Sequence, residues 1–197
     1  MRILTAILAL TICSSTARAV TIWDEAFQGD LSGNNLAPTA LTLGLGVNTI
    51  RGTMGRDLPQ DPVDRDIFTF TIAPGRTLSS INVIVFTPTN QSFYAIAPGT
   101  TINITDPATH LANTLVQHTG DILPQLALGS YSGGTGITDP LGPGTYTAWF
   151  QELSSVVTYE VDYTISASPI PEPTTACVGI ALGVIFAGNR RNRRSRG

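Results

Sequence analysis

Acidic residues in twos and threes are the side chains of this chain best suited to chemistry. Asp64 and Asp66 flank Arg65 at the start of an alternating stretch, and on a strand residues two apart share a face. With Asp61 or Asp57 from the preceding segment they could gather carboxylates for Ca²⁺, a hard cation that takes about 6–8 oxygen ligands. A solvated strand start with Arg65 as local ion partner accounts for the same residues. Asp24, Glu25 and Asp30 form a second cluster before Ser32-Gly33-Asn34, and loop capping by Asp and Asn explains it equally well. No full ligand set follows from the sequence. Asp64 and Asp66 therefore stand as candidate Ca²⁺ ligands, and no other cofactor is expected.

The remaining candidates are isolated. His110 and His118 are the only histidines; their spacing fits no compact zinc site, and a surface or loop position is expected for both. No serine stands in Gly-x-Ser-x-Gly. Glu152 and Glu160 would serve glycoside hydrolysis only if placed ~5–10 Å apart around a cleft, and nothing in the sequence supports that. Trp149 shares the polar face of its stretch with Thr145 and Thr147. Exposed there, it would stack on a sugar ring as a possible glycan contact; packing under a neighbouring loop is the reading that the usual burial of tryptophan favours. No catalytic residue is assigned, and a non-enzymatic protein is expected.

Strands must position these residues. Val157, Tyr159, Val161, Tyr163 and Ile165 alternate with polar residues, which predicts a long half-buried strand over 157–167. Phe68–Ile72, Ile81–Val85 and Thr145–Phe150 alternate likewise. Shorter strands are expected at Val20–Trp23, Leu41–Leu45, Asn48–Gly52, Ser92–Ile96, Ile102–Ile104 and Leu115–His118. Turn signals separate them: Pro74-Gly75, Pro98-Gly99, Asp106-Pro107, Gly133-Gly134 and Gly142-Pro143-Gly144. Gly129–Gly144 reads as a long exposed loop, and no long amphipathic helix is evident. The fold class is all-β, an antiparallel β-sandwich or jelly roll.

Both ends of the chain read as targeting segments. Met1-Arg2, the apolar run Ile3–Ile12 and the small-x-small Ala17-Arg18-Ala19 form a signal peptide over 1–19, cut by signal peptidase after Ala19. At the other end, Pro169-Ile170-Pro171-Glu172-Pro173 meets an apolar segment over 174–188, and Arg190, Arg191, Arg193, Arg194 and Arg196 close the chain. Arginines beside an apolar segment stay on the cytoplasmic side. At ~1.5 Å per residue the segment spans only ~22 Å of a ~30 Å hydrocarbon core, too short for a comfortable permanent helix. Between the ends, residues 20–168 form one extracytoplasmic domain. Cys13 and Cys177 both lie outside it, so it holds no disulfide despite an oxidising destination. The domain carries thirteen acids against four arginines, a net charge of −9, and the chain has no lysine. That balance excludes phosphate-backbone binding, so no nucleic-acid partner is expected.

Pro171-Glu172-Pro173, the hydrophobic stretch and the arginine cluster, in that order, resemble the PEP-CTERM sorting signal of bacterial exosortase substrates, here residues 169–197. The resemblance implies cleavage at the motif by an exosortase-type membrane protease, a transient membrane stage through the C-terminal helix, and delivery to the cell surface or outside the cell. "WDEAFQGDLSGNNLAPTALTLGLGVNTIRGTMG", "DRDIFTFTIAPG" and "GPGTYTAWFQE…VTYEVDYTI" resemble the β-sandwich domains of secreted PEP-CTERM proteins and the bacterial pre-peptidase C-terminal domain. Asp64-Arg65-Asp66-Ile67-Phe68 and Gly144-Thr145-Tyr146 carry that likeness, with Ile67 where an aromatic is common. It implies an accessory, non-catalytic surface or matrix role in an exopolysaccharide-rich biofilm envelope. The alternatives are a carbohydrate-binding module and a hydrolase.

Overall fold

A computed structural model describes residues 18–129 and 131–168. The expected processing residues Pro171, Glu172 and Pro173, segment 174–188 and the terminal arginines lie outside the described residues, as does the expected signal peptide up to residue 17.

Two five-stranded sheets pack face to face. One has the order β1 (Val20–Asp24), β3 (Gly46–Met54), β10 (Val157–Ala167), β5 (Arg76–Thr87), β8 (Gly120–Asp121). The other has the order β2 (Thr39–Ala40), β4 (Arg65–Ile72), β9 (Gly144–Gln151), β6 (Ser92–Pro98), β7 (Ala112–Val116). Pairing is antiparallel except at two edges, where β1 runs parallel to β3 and β2 parallel to β4. Among the described residues the helices are short: α1 (Glu25–Gln28), α2 (Leu123–Leu128) and a 3₁₀ turn at Pro107–Thr109.

The period-2 pattern decides the core. Val157, Tyr159, Val161, Tyr163 and Ile165 are all buried on central strand β10, and Phe68, Phe70 and Ile72 face them from β4. Tyr163 meets the Phe68 ring edge-on at 5.8 Å between centroids. Burying each such side chain contributes ~1.5–3 kcal/mol. The described residues of the 129–143 segment form no strand or helix, only an isolated bridge from Leu141 to Leu78, as its glycines and prolines imply.

Three expected strands differ. Leu41–Leu45 is irregular: Leu41 and Leu43 are buried, but the Asn48 side chain takes over the Gly44 backbone, accepting from its N–H at 2.7 Å and donating to its carbonyl at 2.9 Å. A local side-chain partner replaces a sheet ladder there. Ile102–Ile104 is also irregular; the Ile102 backbone bonds to Asn35 instead of a strand. Leu115–His118 is shifted, because β7 pairs Ala112–Val116 with Ile96–Ser92.

The 99–104 segment covers the outer face of the second sheet. Ile67, Ala95, Ala97, Ile102 and Trp149 form a second apolar cluster there. Trp149 is therefore not an open sugar platform: it is 6 % exposed, flanked in register by Ile67 and Ala95, with the Phe93 ring 4.8 Å away. His110 lies in a loop, as expected, but not at the surface. It is fully buried against Trp149, with Nε2 2.7 Å from the Asn103 carbonyl. His118 is exposed.

Candidate metal centre

Asp66 belongs by register to the inward face of β4, with Phe68, Phe70 and Ile72. Its carboxylate is thus carried to the rim of the space between the sheets, beside Tyr159 of β10. It is fully buried, and neither oxygen makes a hydrogen bond of ordinary geometry. The nearby Tyr159 hydroxyl is equally without such a bond, though it lies close enough to oppose the upward shift of the carboxyl. An ionised carboxylate in that setting costs several kcal/mol unless a proton or a cation compensates it.

Two more carboxylates converge on Asp66. Oxygens of Glu25, Asp30 and Asp66 all lie within 4.8 Å of one another. Glu25 opens α1, whose N-terminus is capped by Asp24 accepting from the Ala26 N–H at 3.1 Å. The Thr53 N–H donates to Glu25 Oε2 at 2.7 Å and the Leu31 N–H to Oε1 at 3.1 Å. Gly52 makes the seat possible. A Cβ there would fall 2.5 Å from Glu25 Cδ. The missing side chain on β3 is the space the Glu25 carboxylate occupies. Asp30 follows Gly29, whose φ of +86° turns the chain back toward the cluster.

Burial drives the electrostatics. It pushes the Glu25 carboxyl up to about 7, against the two N–H donors and with help from Asp30 and Asp64. Burial and Asp30 push Asp64 up to about 6. Asp66 is raised well above the usual carboxylate range by burial first and the Glu25 charge second. Like charges crowded in a low-dielectric site invite a cation.

The structure regroups the candidate ligands. Asp66 stands with Glu25 and Asp30 of the N-terminal cluster; Asp64 lines the same pocket but lies outside the close triad. Asp61 caps its own loop, accepting from the Leu58 N–H at 3.0 Å. Arg65 is no ion partner for its neighbours; its Nε donates to the Gln151 side chain. Glu152 and Glu160 have separate structural duties. Burial alone would raise Glu152, but donors from Ser154, Ser92 and Leu153 outweigh it and hold the carboxyl low. Glu160 pairs with Arg51 at 2.9 Å. The sequence signals for the triad were Asp66 sharing the period of Phe68 and Phe70, and a glycine in the middle of β3.

No protein-family model, curated protein or solved structure matches this chain.

Proposed function

We propose that this is an exported, non-enzymatic bacterial surface or extracellular-matrix protein whose sandwich binds Ca²⁺ through Glu25, Asp30 and Asp66. The observation that carries the cation is Asp66: a buried carboxylate with both oxygens unpartnered, facing two others. All three supply hard oxygen ligands, and neither histidine nor cysteine is among them, which favours Ca²⁺ over softer metals. In a domain without cysteines, an ion joining the N-terminal segment to β4 takes the place of a disulfide staple.

Export is supported by the two end segments and by where the sandwich lies between them. Strand β1 begins at Val20, directly after the proposed cut at Ala19, and β10 ends at Ala167, just before Pro171-Glu172-Pro173. Both cuts leave every strand of the described residues intact. Segment 174–188 holds the precursor in the membrane, the arginines stop translocation, and an exosortase-type protease acts at the motif. The raised Glu25 and Asp64 carboxyls in one pocket favour, as a second reading, an acid–base hydrolase. A hydrolase screen that finds activity lost in Glu25→Gln would replace the binding reading. Native intact mass of the exported protein tests the first. It should begin at Val20, lack 174–197 and carry a calcium that EDTA removes. An uncut chain refutes processing; an ion-free mass in millimolar calcium refutes the site.

A further inference from the structure

The ion alone does not account for the space above it. Glu25 and Asp30 line an open pocket of about 720 Å³, with Asp66 behind them. That volume lies within the ~300–1,000 Å³ typical of small-molecule sites. It extends along β3 and β10, where two cross-strand pairs, Arg51–Glu160 and Thr53–Thr158, contribute to the lining, with Val85 of β5 adding an apolar surface.

We propose that this pocket binds a neutral saccharide, held by two vicinal hydroxyls on the bound Ca²⁺; this rests on the cation reading above. Coordination supplies the first reason. Three carboxylates give three to six oxygens at most, with two of the Glu25 lone pairs already used by Thr53 and Leu31. A Ca²⁺ ion takes about 6–8 oxygens, so the side facing the pocket has positions for oxygens from outside the protein. Charge supplies the second. Asp24, Glu25, Asp30, Asp64 and Glu160 line the pocket against one arginine, Arg51, which is already paired with Glu160. Even with a divalent ion in place the site stays negative, which repels uronates, phosphates and sulfates. Carboxylates accept hydrogen bonds and do not donate them, so the occupant must bring donors. Hydroxyls ligate a hard cation and donate to carboxylates at once, whereas an amine does only the second. Val85 offers an apolar surface to a ring face, and the Thr53 and Thr158 hydroxyls serve as either donor or acceptor.

The test is an array of neutral and uronate-bearing oligosaccharides probed with the full chain, in calcium and in EDTA, with Tb³⁺ luminescence following the ion separately. A Thr158→Trp variant fills the pocket without touching the triad. The expected result is retention on neutral saccharides, reduced at least tenfold by EDTA and by Thr158→Trp, with Tb³⁺ binding kept in the variant. Ion binding with no neutral saccharide retained overturns this inference and leaves the cation reading standing. Absence of both overturns the cation reading and this one with it. Retention indifferent to EDTA or to Thr158→Trp, or stronger on uronates, overturns the inference.

Discussion

The Tyr94 and Tyr163 hydroxyls meet 2.7 Å apart in the middle of the core, one from each sheet, and both side chains are fully buried. Each group is the other's partner, and burial keeps both phenols protonated far beyond neutral pH. Tyr163→Phe leaves the Tyr94 hydroxyl unpaired and should cost ~1–3 kcal/mol in urea unfolding. Removing both hydroxyls should recover part of that loss. A double variant no better than the sum of the two singles would show that the pair is not coupled.

The strands were legible where alternation was long. Val157–Ala167, Phe68–Ile72 and Thr145–Phe150 all read out correctly because one face of each is packed against the other sheet. Leu41–Leu45 and Ile102–Ile104 misled because Leu41, Leu43 and Ile102 are buried from irregular backbone, which period alone does not distinguish. At Trp149 the threonine neighbours left solvent open beside packing under a loop, and the packing is found: Thr147 too is buried and donates to the Gly99 carbonyl at 2.9 Å beneath the covering segment. At the candidate site Asp66 and the cluster of Asp24, Glu25 and Asp30 each stood out in the sequence, but the meeting of Glu25 and Asp30 with Asp66 did not. Glu25 and Asp30 reach it through chain folding over some forty residues, and the seat for Glu25 is an absence of side chain at Gly52.

Gly52→Ala places a methyl group where the Glu25 carboxylate sits. The Thr53 and Leu31 hydrogen bonds must then be given up. Calcium affinity should fall about tenfold or more, while circular dichroism keeps the β signature of the wild type. Unchanged affinity would mean that Glu25 is not a ligand.

The calcium-free domain should lose stability as pH rises. Glu25 is raised from 4.5 to about 7 and Asp64 from 3.8 to about 6 in the folded chain. Between those values the folded state holds protons that the unfolded state has released, so the stability they support falls as pH climbs through the window. Glu152 has the opposite sign: its contribution fades only as pH drops below the ordinary carboxylate range. In EDTA, Tm should therefore fall from about pH 4.5 to 7.5, and Asp66→Asn should flatten that fall. Calcium at a hundred times Kd adds ~2.7 kcal/mol, or about 5–10 °C, at pH 7.5. A Tm that rises with pH in EDTA would contradict the protonated cluster.

Val161 is buried at the centre of β10, between Ile50 of β3 and Val83 of β5. Val161→Asp buries a charge without a partner and should unfold the domain. A variant melting with the wild type would mean that this face of β10 is not the core.

Calorimetric titration of Ca²⁺ into the full chain, wild type against Asp66→Asn, bears most directly on the cation site. The wild type should bind one ion at the triad. The Asn side chain keeps the size of Asp66 but not its charge, and should weaken binding at least tenfold while the fold survives. Equal binding by the two chains, or no binding by the wild type, would contradict the assignment of Glu25, Asp30 and Asp66 as a metal centre.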